Sequence, residues 1–137
     1  MPKIAHLYFK SAVIFFLAGI IVGLKMAISG NHDVIPAHAH INLLGWVSCA
    51  IIGAYFAFCP AKAEKRLAML QFGLYVTSVA MISIALYLMG VGYPQIEPLA
   101  AFGSILTLVA ALMFAFIVFS PDTAPASSLG LGSRATP

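Results

Sequence analysis

The chain has 137 residues, enough for one domain, and 62% of them are apolar while only 8% are charged. Soluble domains run at roughly 45–50% apolar and about 25% charged, which excludes an ordinary cytosolic globule and a disordered chain. Seven Lys and Arg against four Asp and Glu give a net charge of +3, so no basic face follows a phosphate backbone and nucleic acid is not a partner. The apolar residues have the lipid bilayer as their solvent. The sequence reads as an integral membrane protein.

Four apolar stretches reach the roughly 20 residues needed to cross about 30 Å of hydrocarbon. They cover Ala5–Ser29, Ala37–Cys59, Leu67–Met89 and Gln95–Phe119, within a spanning domain over 1–120. Gly30-Asn31-His32-Asp33 with Pro36 breaks the first from the second. Cys59-Pro60 opens a charged loop that runs to Arg66, and Gly90-Val91-Gly92-Tyr93-Pro94 turns the third into the fourth. Lipid admits only helices or closed barrels, and no alternating strand pattern competes. The predicted fold is all-α: a four-helix transmembrane bundle, up-down-up-down because its connections are short, and assembled as a homodimer.

Basic residues set the orientation. Lys3, Lys10, Lys62, Lys65, Arg66 and Arg134 fall on one side and only Lys25 approaches the other. By the positive-inside rule both termini are cytoplasmic, in a bacterial inner membrane. The first stretch, too long for a secretory signal core and followed by no small-residue cleavage site, is kept as a span. A Pro-, Ala-, Ser- and Gly-rich tail over 121–137 is expected to be a disordered cytoplasmic segment. Tyr8 and Tyr93 fit opposite interfacial belts, and Thr77, Ser78, Ser83, Ser104 and Thr107 are small contacts between helices.

Polar groups inside a bilayer are costly and therefore informative. His32, His38 and His40 lie within nine positions of one another at the outer mouth of the second span, with Asp33 in the same loop and Lys25 ending the first. Glu97 begins the fourth span at the same level, whereas His6 sits roughly 30 Å away at the cytoplasmic end. On a regular helix the rings of His38 and His40 point roughly 200° apart and do not chelate one ion; a helix that begins only at His40 frees His38 to swing. Below them Gly45, Cys49, Gly53 and Ala57 recur every fourth position. Such a stripe serves close helix packing, as does Gly19-x-x-x-Gly23 in the first span, or else forms a trough that admits a flat macrocycle beside an axial histidine. Asn42, one turn inside the membrane, needs a hydrogen-bond partner. Trp46 lies too deep for an interfacial belt and is expected to face the bundle or a cofactor.

The run His38-Ala39-His40-Ile41-Asn42-Leu43-Leu44-Gly45-Trp46 resembles the second helix of haem–copper oxidase subunit I, above all the C-family oxidases and nitric oxide reductases. It is also similar to the His-x-His segment of NnrS-type membrane haem proteins. The likeness covers about ten residues and the general hydropathy. It implies a non-covalent haem b, with His40 in the place of the axial ligand and His38 as the second candidate. Those oxidases carry further histidine pairs on later helices, which this four-histidine chain lacks, so oxygen or nitric oxide reduction is not expected and no catalytic residue is assigned.

A haem site needs an axial ligand, an apolar slot and donors or cations for the propionates. The cofactor-binding set is His40, His38, Lys25, Asn42, Gly45 and Trp46, with His40, His38 and His32 as iron ligands. His32, a second copy's histidine, Met26 or Met89 is the sixth ligand. Haem transport or handling, electron transfer and gas sensing follow as uses. Two other readings stand beside this one: a copper or zinc site from His32, Asp33, His38, His40 and Glu97, and a non-catalytic accessory or assembly subunit of a larger membrane complex.

Overall fold

A computed structural model describes residues 1–121; the tail expected to be disordered falls, after Pro121, outside the described residues. Four helices in it are long and apolar enough to cross a membrane: α1 (Lys3–Ser29), α2 (Ile35–Phe58), α3 (Arg66–Gly90) and α4 (Pro94–Phe119). Their bounds lie within two residues of those expected from hydropathy. No strand occurs among the described residues, and the four helices fit a multi-pass membrane protein.

The helix ends follow from local chemistry. Gly30 closes α1 at φ +67°, a left-handed conformation that costs glycine little, and its N–H donates to the Met26 carbonyl at 2.9 Å. Pro36 occupies the first turn of α2, where a missing N–H goes unnoticed. A further helical turn, Pro60–Ala63, links α2 to α3, and a 3-10 turn at Pro94–Ile96 opens α4. At the C-terminal end of α3, Gly90 lets the helix meet the loop between α1 and α2: a Cβ there would stand 2.7 Å from the Asp33 carbonyl oxygen.

Helices adjacent in sequence pack side by side, and rising residue numbers on one meet falling numbers on the next. Gly53 of α2 faces Tyr8 of α1, Gly45 faces Phe15, and Asn42 faces Gly19. Between α2 and α3 the Tyr75 hydroxyl donates to the Leu44 carbonyl at 3.1 Å. Between α3 and α4, Thr107 donates to the Ser78 hydroxyl at 2.9 Å and Gly103 receives Ile82.

The buried core is tied by one polar link. The Tyr8 hydroxyl donates to Gln71 Oε1 at 2.5 Å, and Gln71 Nε2 donates to the Ala110 carbonyl at 3.3 Å, so α1, α3 and α4 share a single amide. Both side chains are fully buried. Tyr8 is thus a core residue rather than a belt residue, because Gln71 supplies the acceptor that its hydroxyl would otherwise seek at the water boundary. Around it stand Phe72, edge-on at 4.9 Å between ring centroids, and Phe56 at 6.0 Å. Lys62, one of the basic residues that set the expected orientation, is not simply exposed to solvent. It is 6% exposed and its ammonium donates to the Val118 carbonyl at 2.9 Å, completing the C-terminal turn of α4.

Gln71→Leu is expected to orphan the Tyr8 hydroxyl and lower stability by about 1–3 kcal/mol, the cost of a buried donor without a partner. Thermal unfolding in detergent checks this. Adding Tyr8→Phe should recover part of the loss, since the orphaned group is then gone; equal melting of the wild type and Gln71→Leu would refute the role given to the link.

Candidate functional site

The N-terminal half of α2 carries the histidines, and its backbone is not a regular α-helix. Residues Ile35–His40 are α-helical, Ile41–Ser48 form a π-helical segment, and Cys49–Phe58 are α-helical again. The π register is wider and leaves its carbonyls less well directed, and such segments are rare. Two side chains compensate here. Ser48 donates to the Leu43 carbonyl at 2.8 Å, and Tyr75 reaches across from α3 to that of Leu44. The regular geometry assumed for this stretch from its sequence is corrected accordingly. His38 and His40 both lie within α2, which begins at Ile35, so the alternative of a helix that starts only at His40 does not apply.

The two rings then go different ways. His38 is half-buried and turns toward α1, where a Cβ on Gly23 would stand 2.9 Å from its Cε1. Asn42 lies one turn below. Its amide donates to the His38 carbonyl at 2.8 Å, and its side chain fills the space over Gly19. The partner that Asn42 requires is therefore its own helix backbone. Gly19 and Gly23 do not merely bring two backbones together; they form a groove that seats Asn42 and His38.

His40, also half-buried, folds back along α2, with Nδ1 2.8 Å from the Pro36 carbonyl oxygen. A carbonyl only accepts, so Nδ1 carries the hydrogen and Nε2 of the neutral ring keeps its lone pair. His32 repeats this device in the exposed loop, with Nδ1 3.0 Å from the Gly30 carbonyl oxygen. Fixing one ring nitrogen on a carbonyl is how proteins present the other to a metal.

The remaining predicted positions divide between packing and a second location. Gly45 is buried beneath Phe15, whose Cγ would stand 2.5 Å from an added Cβ, and Gly53 lies under Tyr8. Aromatic side chains of α1 thus fill the small-residue stripe, which leaves no trough along that face for a macrocycle. Trp46 turns outward, 38% exposed, with its ring centroid 4.3 Å from that of Phe16. Of the two faces expected for it, bundle or cofactor, the bundle side is taken by Phe15 over Gly45. Lys25 bonds the Tyr87 hydroxyl of α3 and lies 5.0 Å from the centroid of that ring. With Met26, Asp33 and Gly92 it lines a cleft of about 500 Å³ that neither His38 nor His40 borders.

Among the described residues no three His, Cys, Asp or Glu side chains gather to hold a metal ion. The copper or zinc site expected from His32, Asp33, His38, His40 and Glu97 is not assembled: Glu97 stays exposed at the start of α4, and the histidines point apart. Sequence reasoning missed Gln71 and Tyr87, which tie the helices carrying the site. A lone amide in an apolar span was the available signal for Gln71.

The seating of His38 predicts a contrast between glycines. Gly23→Ala should press on the ring and lower the melting temperature in detergent. Gly73→Ala, where an added Cβ meets nothing within 4 Å, should leave it equal or higher. Identical behaviour of the two variants would rule out the groove.

Searches against protein-family models, curated proteins and solved structures each gave no match to this chain.

Proposed function

We propose that the chain is a multi-pass protein of a bacterial inner membrane that binds a non-covalent b-type haem on the outer half of α2, with His40 as an axial ligand. The observation that carries this reading is the Nδ1 contact of His40 with the Pro36 carbonyl oxygen, which fixes the ring and turns Nε2 away from its own backbone. The resemblance of the segment 38–46 to a haem-ligating helix supports the same residue.

Phe15 and Tyr8 occupy the inner stripe, so the macrocycle lies against the outside of α2, where Leu43 and Ile51 are each 62% exposed and Trp46 stands beside them. A second copy of the chain closes the other side of the ring as a homodimer, and His32 or the second copy's histidine takes the sixth position. His38 is a packing group in this arrangement, and Lys25, held by Tyr87, is left to the outer cleft. The antiparallel run of contacts along the helix pairs supports an up-down-up-down insertion, and the distribution of basic residues supports cytoplasmic termini. Bound haem supplies one-electron chemistry when both axial positions are filled, and a gas site when one is open. Two histidines per iron favour electron transfer or haem carriage.

The test is the oxidised and reduced visible spectrum of protein purified after haem-supplemented expression. A six-coordinate low-spin spectrum, lost in His40→Ala and kept in His38→Ala, is the expected result. A colourless preparation that also takes up no added hemin would sink the haem reading, and a spectrum indifferent to His40→Ala would sink the ligand assignment.

A further inference from the structure

The cleft beside Lys25 is walled by the last turn of α1, the loop that follows it and the end of α3. Its volume of about 500 Å³ falls in the range of about 300–1,000 Å³ usual for small-molecule sites. Met26, Val34 and Val91 give it an apolar side, while Lys25, Asp33, Ser29 and Asn31 bring polar atoms to the space it encloses. The loop is held in place. Gly90 admits the Asp33 backbone against α3, and Asn31 Oδ1 accepts from the Asp33 N–H at 2.8 Å.

Lys25 and Asp33 share this cleft without pairing. The Lys25 ammonium bonds the Tyr87 hydroxyl and lies over that ring, which uses one of its three hydrogens. Among the described residues the Asp33 carboxylate makes no hydrogen bond or ion pair. Both residues are exposed, so a guest reaches both charges. A bare cation is opposed by Lys25. A bare anion is opposed by Asp33 and by the carbonyl ends of α1 and α3, which carry partial negative charge and both finish here. A guest that carries both signs meets neither obstacle.

We propose that the cleft binds the head group of an ethanolamine phospholipid. Its phosphate oxygens take the two remaining hydrogens of Lys25, and its primary ammonium donates to the Asp33 carboxylate, both as charge-assisted bonds. A choline head has no N–H to give. It would be held by an aromatic face, and the face available, that of Tyr87, is already covered by Lys25. Lipid is the source because the cleft lies where two spans end, at the level of phospholipid head groups. Ile21, Leu24 and Ile28 of α1 are 66%, 57% and 79% exposed and give the acyl chains an apolar path away from it. Water that solvates each charge separately is the competing occupant. The inference is independent of the haem reading, because neither His38 nor His40 lines the cleft.

Native mass spectrometry of the delipidated full chain in detergent tests this, with dioleoyl lipids that differ only in head group. Phosphatidylethanolamine should be retained about tenfold better than phosphatidylcholine or phosphatidylglycerol, the effect of one charge-assisted hydrogen bond. Asp33→Asn, at an exposed position, should erase the preference for ethanolamine over choline, and Lys25→Gln should lower ethanolamine-lipid retention about tenfold. Glu97→Gln removes the same charge as Asp33→Asn from an exposed site outside the cleft and should change nothing. Glycerophosphoethanolamine, the same head without chains, should displace the lipid only at far higher concentration. Equal retention of the three lipids, a preference that survives Asp33→Asn, or a free head group as potent as the lipid would overturn the proposal.

Discussion

The helices of this bundle are tied together where a polar atom in hydrocarbon finds its partner inside the protein. Helix association in lipid has little hydrophobic drive, since lipid tails are as apolar as leucine, so packing and internal hydrogen bonds decide which faces meet. Gln71 is the clearest case. One amide accepts from Tyr8 of α1 and donates to the Ala110 carbonyl of α4, fixing three helices around α3. Without it the buried phenol would have no reason to leave the interface.

The same constraint shapes α2. A π-helical segment frees carbonyls from regular helical bonding, and the structure answers with Ser48 and Tyr75 at Leu43 and Leu44. Directly above, the Asn42 amide is used on the His38 carbonyl and the His40 ring on that of Pro36. Three polar side chains of one short run are thereby satisfied by their own helix or its neighbour. His40, like His32 in the loop, spends Nδ1 on a backbone carbonyl, which turns its Nε2 away from its own helix.

Glycine does two jobs in the contact between α1 and α2. Gly45 and Gly53 on α2 make room for Phe15 and Tyr8 of α1, while Gly19 and Gly23 on α1 make room for Asn42 and His38 of α2. Each helix provides knobs for the other's hollows, so the interface has a register and the histidine pair is split. His38 is drawn against α1, while His40, equally half-buried, folds back along its own helix.

The sequence by itself determined the four helices, because twenty-residue apolar runs between Gly- and Pro-rich breaks have no other solution in lipid. It also marked the histidine cluster, since titratable groups at a membrane boundary stand out against so apolar a chain. What it did not contain was direction. Whether the stripe at Gly45 is a trough or a socket depends on Phe15, thirty positions away, and only folding brings the two together. Trp46 turns outward for the same reason, and Tyr8 turns inward because Gln71, distant in the chain, waits there with an acceptor. Hydropathy along a chain records what each residue prefers as solvent; the partner that replaces that solvent is chosen by tertiary contact.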